Sequence, residues 1–185
     1  MRVIGGTLRG KKLISFKGKN IRPTSDRIKE SLFNIISPYL DDEVRVADFF
    51  AGTGNLGIEA LSRGAEEAVF VEKDKNSLAI IRKNIDLCRV KEKSSVIPLE
   101  TDKGIALLEK QKKAFDIIFL DPPYNQGLAN ETLEVLGQSV LVEGAIVIAE
   151  YSSQEKIKEH YGKLKMKDTR RYGGTSLSFF TGESN

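Results

Sequence analysis

From residue 44 onward, short apolar runs alternate with amphipathic stretches, and this alternation restricts the fold more than any other property of the chain. Residues 44–50, 68–73, 94–99, 115–121 and 145–150 have the length and composition of strands, while 55–63, 75–88, 102–110 and 128–139 repeat apolar side chains at helical spacing. Strands joined through helices lie parallel, because the helix crosses back over the sheet before the next strand begins. An α/β architecture follows, with a mostly parallel sheet covered on both faces. The last run breaks the pattern. Residues 164–172 and 175–181 flank Gly173-Gly174, the composition of a two-residue hairpin turn, so at least one antiparallel strand ends the order.

Ahead of this core, Ser25 can cap a helix whose Ile28, Leu32, Ile35 and Ile36 share one face until Pro38 stops it. Residues 1–22 differ: Gly5-Gly6, Gly10 and Gly18 separate short runs with no helical repeat. They predict a basic hairpin or extended arm, an appendage to a single domain of residues 23–185. The 185 residues suffice for one well-buried core and little more.

Several function classes drop out. One cysteine, Cys88, and one histidine, His160, leave no intramolecular disulfide and no parts for a Cys/His zinc site or a Cys-His nucleophile pair. Cys88 ends an amphipathic helix as a half-buried thiol, and His160 falls in a charged helical stretch and is expected in solvent. No apolar run reaches the roughly 18 residues of a membrane span, and the start carries charges where a signal peptide needs apolar residues. The expectation is a cytoplasmic monomer without metal. Its chemistry must rest on carboxylates, backbone groups and a bound cofactor.

The net charge of +3 hides an uneven distribution. Residues 1–31 hold nine basic side chains against two acidic ones, a balance of +7, which leaves −4 for the remainder. A second stretch, 156–171, holds seven Lys or Arg against two acids. Basic stretches on either side of an acidic middle suit a polyanion, because each phosphate neutralised releases counterions. Candidate contacts in the first are Arg2, Arg9, Lys11, Lys12, Arg22 and Arg27; Arg170, Arg171 and Tyr172 in the second are either RNA contacts or surface residues.

Two strings carry the chemistry. The first strand runs into Asp48-Phe49-Phe50-Ala51-Gly52-Thr53-Gly54-Asn55-Leu56-Gly57, after which a helix begins. Glycines at such a turn admit a ligand close to the backbone, and the helix entry offers N–H groups. Glu72, 20 residues beyond Gly52, ends the next strand where an acid binds ribose hydroxyls. Gly52, Gly54 and Gly57 also spell a dinucleotide fingerprint, so a nicotinamide cofactor is one reading. Asp48 favours another, because a carboxylate suits the cationic amino-acid tail of S-adenosylmethionine better than a pyrophosphate. Thr53 and Lys73 fall in the same turns and complete this set.

The second string is Asp121-Pro122-Pro123-Tyr124, at the carboxyl end of the fourth strand, where open α/β sheets bind ligands. A carboxylate beside a fixed carbonyl can accept both hydrogens of an exocyclic amino group, and Tyr124 offers a face on which a planar base stacks. Asp121, Pro122 and Tyr124 are the candidate catalytic residues.

These features resemble the class I S-adenosylmethionine-dependent methyltransferases, and the Asp-Pro-Pro-Tyr string resembles the branch that methylates amino groups. Arg2-Val3-Ile4-Gly5-Gly6, Leu8-Arg9-Gly10-Lys11-Lys12-Leu13, Arg22-Pro23-Thr24-Ser25-Asp26-Arg27 and Lys29-Glu30-Ser31-Leu32-Phe33-Asn34 narrow the likeness. They resemble the bacterial 16S ribosomal RNA guanine-N2 methyltransferases of the RsmD family, over essentially the whole chain. The resemblance implies a Rossmann-like, seven-stranded sheet with the last hairpin antiparallel. It implies S-adenosylmethionine as cofactor, with Asp102 at the adenine, and one guanine of 16S RNA, naked or in the small subunit, as substrate. Adenine N6 in DNA, guanine in other RNA, or a non-catalytic assembly factor on the same fold are the alternatives.

Overall fold

The computed structural model describes residues 1–16 and 26–183, so Arg22 and the capping role expected of Ser25 lie outside the described residues, as does the boundary expected after residue 22. The chain divides into two units, Met1–Pro98 and Leu99–Asn185. In the first, β1 (Arg45–Phe49), β2 (Glu67–Val71) and β3 (Ser94–Ile97) lie parallel with β2 in the middle. Val46, Ala47, Phe49 and all of Ala68–Val71 are buried, as expected of strands covered on both faces.

The helices of this unit are α1 (Asp26–Ile36), α2 (Asn55–Ser62) and α3 (Lys75–Cys88). All eight residues of α2 are buried, which its small and apolar composition allows. It packs so closely on β2 that a Cβ on Gly57 would stand 2.3 Å from the Phe70 ring. The third glycine of the fingerprint is therefore a packing requirement. Asp74 caps α3 by accepting the Ser77 N–H at 2.8 Å, and that bond holds its carboxyl below the ordinary range. Cys88 is buried rather than half-buried, and burial pushes its thiol up.

The N-terminal arm departs most from expectation. It does form a hairpin, with Val3 N–H donating to the Lys11 carbonyl at 2.9 Å and Arg2 bridged to Lys12. It is not an appendage. The Glu59 carboxylate of α2 accepts the Ile4 and Gly5 N–H groups at 2.9 and 2.7 Å, and Ser62 bonds Gly5 O at 2.6 Å and Leu8 N at 2.9 Å. Gly6 approaches the same helix end, where a Cβ would meet Ser62 O at 1.7 Å. Val3 and Leu13 are buried, and Asn84 of α3 pairs with Ile14 through both its amide atoms.

Beneath the arm lies a charge cluster. Lys29 of α1 and Glu59 are both 0% exposed and pair at 3.0 Å. The Lys29 ammonium also donates to Arg2 O at 2.6 Å and Asn55 Oδ1 at 2.8 Å, and Arg63 joins Glu59 at 2.9 Å while lying over the Phe33 ring. Burial lowers the Lys29 pKa, opposed by the Glu59 charge.

The second unit contains α4 (Thr101–Lys110), β4 (Ile117–Leu120), α5 (Leu128–Gln138), β5 (Ile146–Ser152), β6 (His160–Tyr161), β7 (Leu164–Tyr172) and β8 (Thr175–Gly182). β4 and β5 pair in parallel, and β8, β7 and β6 follow antiparallel in that order beyond β5. The hairpin falls where Gly173-Gly174 predicts it, with Tyr172 opposite Thr175. Eight strands are described rather than seven, the addition being the two-residue β6. His160 stands in β6, exposed as expected but not helical. Two side chains fix the backbone before it: Asn130 of α5 donates to Lys156 O, and the Oη of Tyr161, the next residue, accepts from Lys158 N, bonds that a helix would forgo. Among the described residues, no helix is long and apolar enough to cross a membrane.

Glu59→Ala leaves the buried Lys29 without its counter-charge and two arm amides without their acceptor. The expected loss is about 3–5 kcal/mol in urea unfolding, with faster proteolysis of the arm; an unchanged midpoint would contradict this assignment.

Candidate functional site

The turn after β1 is built on two carboxylates. Asp48, 1% exposed, accepts the Gly57 N–H at 3.0 Å, and so pins the first turn of α2 beneath the glycines. Burial raises its pKa from 3.8 to about 7, the Gly57 bond opposing and the Glu72 charge reinforcing the shift. Asp48 was expected near the cationic tail of a ligand, and its bond to Gly57 shows that it also shapes the turn. Gly54 forms the N-cap of α2 with no side-chain capping bond.

Glu72, at the end of β2, does reach the glycine turn. Its Oε2 accepts the Gly52 N–H at 2.9 Å, and its Oε1 accepts the Lys73 and Asp74 N–H groups, each at 2.8 Å. Two oxygens with about four lone pairs serve three donors, which leaves Oε2 one acceptor position at the turn. A half-exposed carboxylate with a spare, fixed acceptor beside a helix entry fits ribose hydroxyls. The Lys73 side chain is exposed. Thr53 is held through its carbonyl by Asn84 Nδ2 at 2.9 Å, the same amide that bonds Ile14 O. The arm and the glycine turn thus share one side chain.

In the second unit, the Leu120–Ala149 pairing sets Asp121 level with Glu150. Asp121 and Tyr124 are half-buried and Pro122 is buried. The Tyr124 hydroxyl donates to Glu150 Oε1 at 2.6 Å and lies 3.1 Å from Thr175 Oγ1. Burial, with the Glu150 charge behind it, pushes the Tyr124 hydroxyl far above the ordinary tyrosine pKa. The ring is consequently fixed at its far end, while Glu150 itself is 4% exposed. Asp102 stands exposed in the first turn of α4.

Of the basic candidates, Arg2, Arg9, Lys11, Lys12 and Arg27 are exposed. Arg2 and Arg9 line a cleft of about 190 Å³ with Asp26 and Glu30, and Arg2 pairs with Asp26 at 3.1 Å.

Glu150, Thr175 and Asn84 did not emerge from the sequence. A glutamate ending the apolar run Ala145-Ile146-Val147-Ile148-Ala149 was a usable signal for the first. The other two are ordinary polar residues whose partners lie 51 and 70 positions away.

The family model described as Conserved hypothetical protein 95 matches residues 1–181. YlbH of Bacillus subtilis is 35% identical over 181 residues, 97% of this chain and 98% of that one. Ribosomal RNA small subunit methyltransferase D of Haemophilus influenzae is 33% identical, covering 91% and 89%. Among solved structures, yhhF of Escherichia coli superposes with a TM-score of 0.85 at 29% identity, over 100% of this chain and 99% of that one. An RNA methyltransferase of Salinibacter ruber, solved with S-adenosyl-L-homocysteine, has a TM-score of 0.69 at 14% identity, over 89% and 95%. The fold is the Rossmann-like α/β fold of class I methyltransferases, with an antiparallel C-terminal hairpin.

Two measurements follow from these carboxylates. Tyr124→Phe removes one donor from buried Glu150, and a stability loss of about 1–3 kcal/mol is expected in chemical denaturation. For Asp48, between pH 3.8 and about 7 the folded chain keeps a proton that the unfolded chain has released. Stability therefore falls as pH rises through that window and levels above it. Wild type should lose ground to Asp48→Asn by up to a few kcal/mol from about pH 4 to about pH 7; parallel curves would refute the shift.

Proposed function

This chain belongs to the RsmD family of S-adenosylmethionine-dependent methyltransferases, and from that premise we propose that it methylates the exocyclic N2 of a guanine in small-subunit ribosomal RNA. Relatives in Haemophilus influenzae and Escherichia coli carry the name ribosomal RNA small subunit methyltransferase D. The observation that carries the reading is Asp121-Pro122-Pro123-Tyr124 at the exit of β4, with the Tyr124 ring held by Glu150.

S-adenosylmethionine, when bound, supplies an electrophilic methyl on a sulfonium. The Gly52-Thr53-Gly54 backbone and Glu72 hold its sugar end, Asp102 its adenine, and Lys73 flanks the turn. Asp48 keeps the turn in shape. A guanine amine is a poor nucleophile, because its lone pair is delocalised into the ring. Asp121 and the Pro122 carbonyl accept its two hydrogens, aim the lone pair and favour the positive charge that grows on nitrogen during transfer. Fixing the amine for in-line attack contributes most of the acceleration. The surplus proton leaves to Asp121 or to solvent. Tyr124 stacks the base, which must be unpaired or flipped to reach it. Arg2, Arg9, Lys11, Lys12, Arg22 and Arg27 bind phosphates.

Asp121→Ala should lower single-turnover methylation of small-subunit RNA by roughly 10²–10³-fold with the fold intact. A variant that methylates at the parent rate would remove Asp121 from the mechanism. Glu72→Ala should weaken cofactor binding about 10- to 150-fold by calorimetry. Nucleoside mass spectrometry of RNA from a deletion strain tests the target: loss of N2-methylguanosine is expected, and loss of N6-methyladenosine instead would redirect the assignment to adenine.

A further inference from the structure

Side chains on β5, β8 and β7 alternate between two faces. Register places Glu150, Leu177 and Arg170 in one row across these strands and Ser152, Thr175 and Tyr172 in the next, all on one face. Tyr124 lies on that face, because its hydroxyl meets both Glu150 and Thr175. Tyr172 therefore stands one strand, about 4.8 Å, outward from Thr175, and Arg170 two residues further along the same edge.

The side-chain bonds agree with this sorting. Arg170 pairs at 2.7 Å with Asp168, its neighbour on the same face. On the opposite face Thr169 meets Ser178 at 2.7 Å, and Arg171 turns toward Ser153, its Nη2 3.3 Å from that hydroxyl. The sequence alone left Arg170, Arg171 and Tyr172 equivalent; the register separates them. The hairpin tip is also stiff, since Ser153 donates from its amide to Gly174 O at 3.0 Å and from its hydroxyl to Gly173 O at 3.2 Å.

From Lys167 to Tyr172, β7 is paired on one side only among the described residues, and charges on such an edge discourage strand addition. That role calls for Lys and Arg. It does not call for a half-buried tyrosine paired with Thr175, whose hydroxyl meets that of the fixed Tyr124.

We propose that Tyr172 and Arg170 form a second nucleotide position next to Tyr124. A base flanking the target stacks on Tyr172, and Arg170 exchanges Asp168 for the intervening phosphate. The side chains of that ion pair are 56% and 41% exposed, so breaking it costs little. The assignment rests on the RNA-methylating reading above and extends it to single-stranded RNA of at least two nucleotides.

Steady-state methylation and anisotropy with a small-subunit RNA fragment test it. Tyr172→Ala should raise the RNA KM about 5- to 150-fold, with cofactor affinity and salt dependence unchanged, while Tyr172→Phe stays at the parent value. Arg170→Ala should flatten the log-log salt dependence of RNA binding by about 0.7, whereas exposed Lys91→Ala, outside both basic stretches, should not change methylation. Asp168→Ala should tighten RNA binding. A parent KM in Tyr172→Ala or a parent slope in Arg170→Ala overturns the proposal. If wild type itself leaves the RNA unmethylated, the functional reading has failed; if wild type methylates and the variants match it, the second position alone has failed.

Discussion

The Glu59 carboxylate is the contact on which the first unit depends. An isolated carboxylate in a protein interior costs several kcal/mol, and only dense hydrogen bonding offsets that. Glu59 receives Lys29, Arg63 and the Ile4 and Gly5 amides. Those donors come from α1, α2 and the arm, so satisfying one charge fixes three segments at once. Lys29 extends the cluster to Asn55, the residue after Gly54, and by this route the arm's position reaches the glycine turn. No single apolar contact in the unit constrains so many elements in direction as well as in distance.

Glu150 has the corresponding role in the second unit. It gives the Tyr124 hydroxyl a partner at 2.6 Å, so the ring is already oriented in the folded chain, as the proposed stacking role requires. A free tyrosine would lose rotamer freedom on stacking; this one has already lost it in folding. Each unit thus buries a carboxylate, Glu59 on a helix and Glu150 on a strand, and uses it to fix a neighbour.

The strand and helix order was legible because apolar periodicity reports burial, and burial decided those elements. The expected helix over 75–88 coincides with α3, and the hairpin about Gly173-Gly174 is in register. Glu72 and Tyr124 stood out for a different reason, their place at strand ends, and the structure adds the Gly52 and Glu150 bonds that hold them. The arm was misjudged because its anchoring runs through main-chain groups, which leave no trace in side-chain patterning. The helix expected around His160 was misjudged because Asn130, 26 positions away, and the adjacent Tyr161 capture the backbone before it, and neither bond leaves a mark in apolar periodicity. Asp48 shows a third limit. Its residue type and position were informative, yet only coordinates reveal that it also accepts the Gly57 amide.

Because the arm docks through the Ile4, Gly5, Thr7 and Leu8 amides and the Arg2 and Gly5 carbonyls, its basic side chains are spared from the anchoring. Their identity is therefore nearly independent of folding. Single exchanges at exposed Arg9, Lys11 or Lys12 leave the scaffold's anchoring bonds in place. Gly6, wedged against Ser62, allows no such exchange. Within a dozen residues the chain sets two tolerances side by side, a narrow one at the backbone-bearing glycine and a wide one, as far as folding is concerned, at the charges beside it.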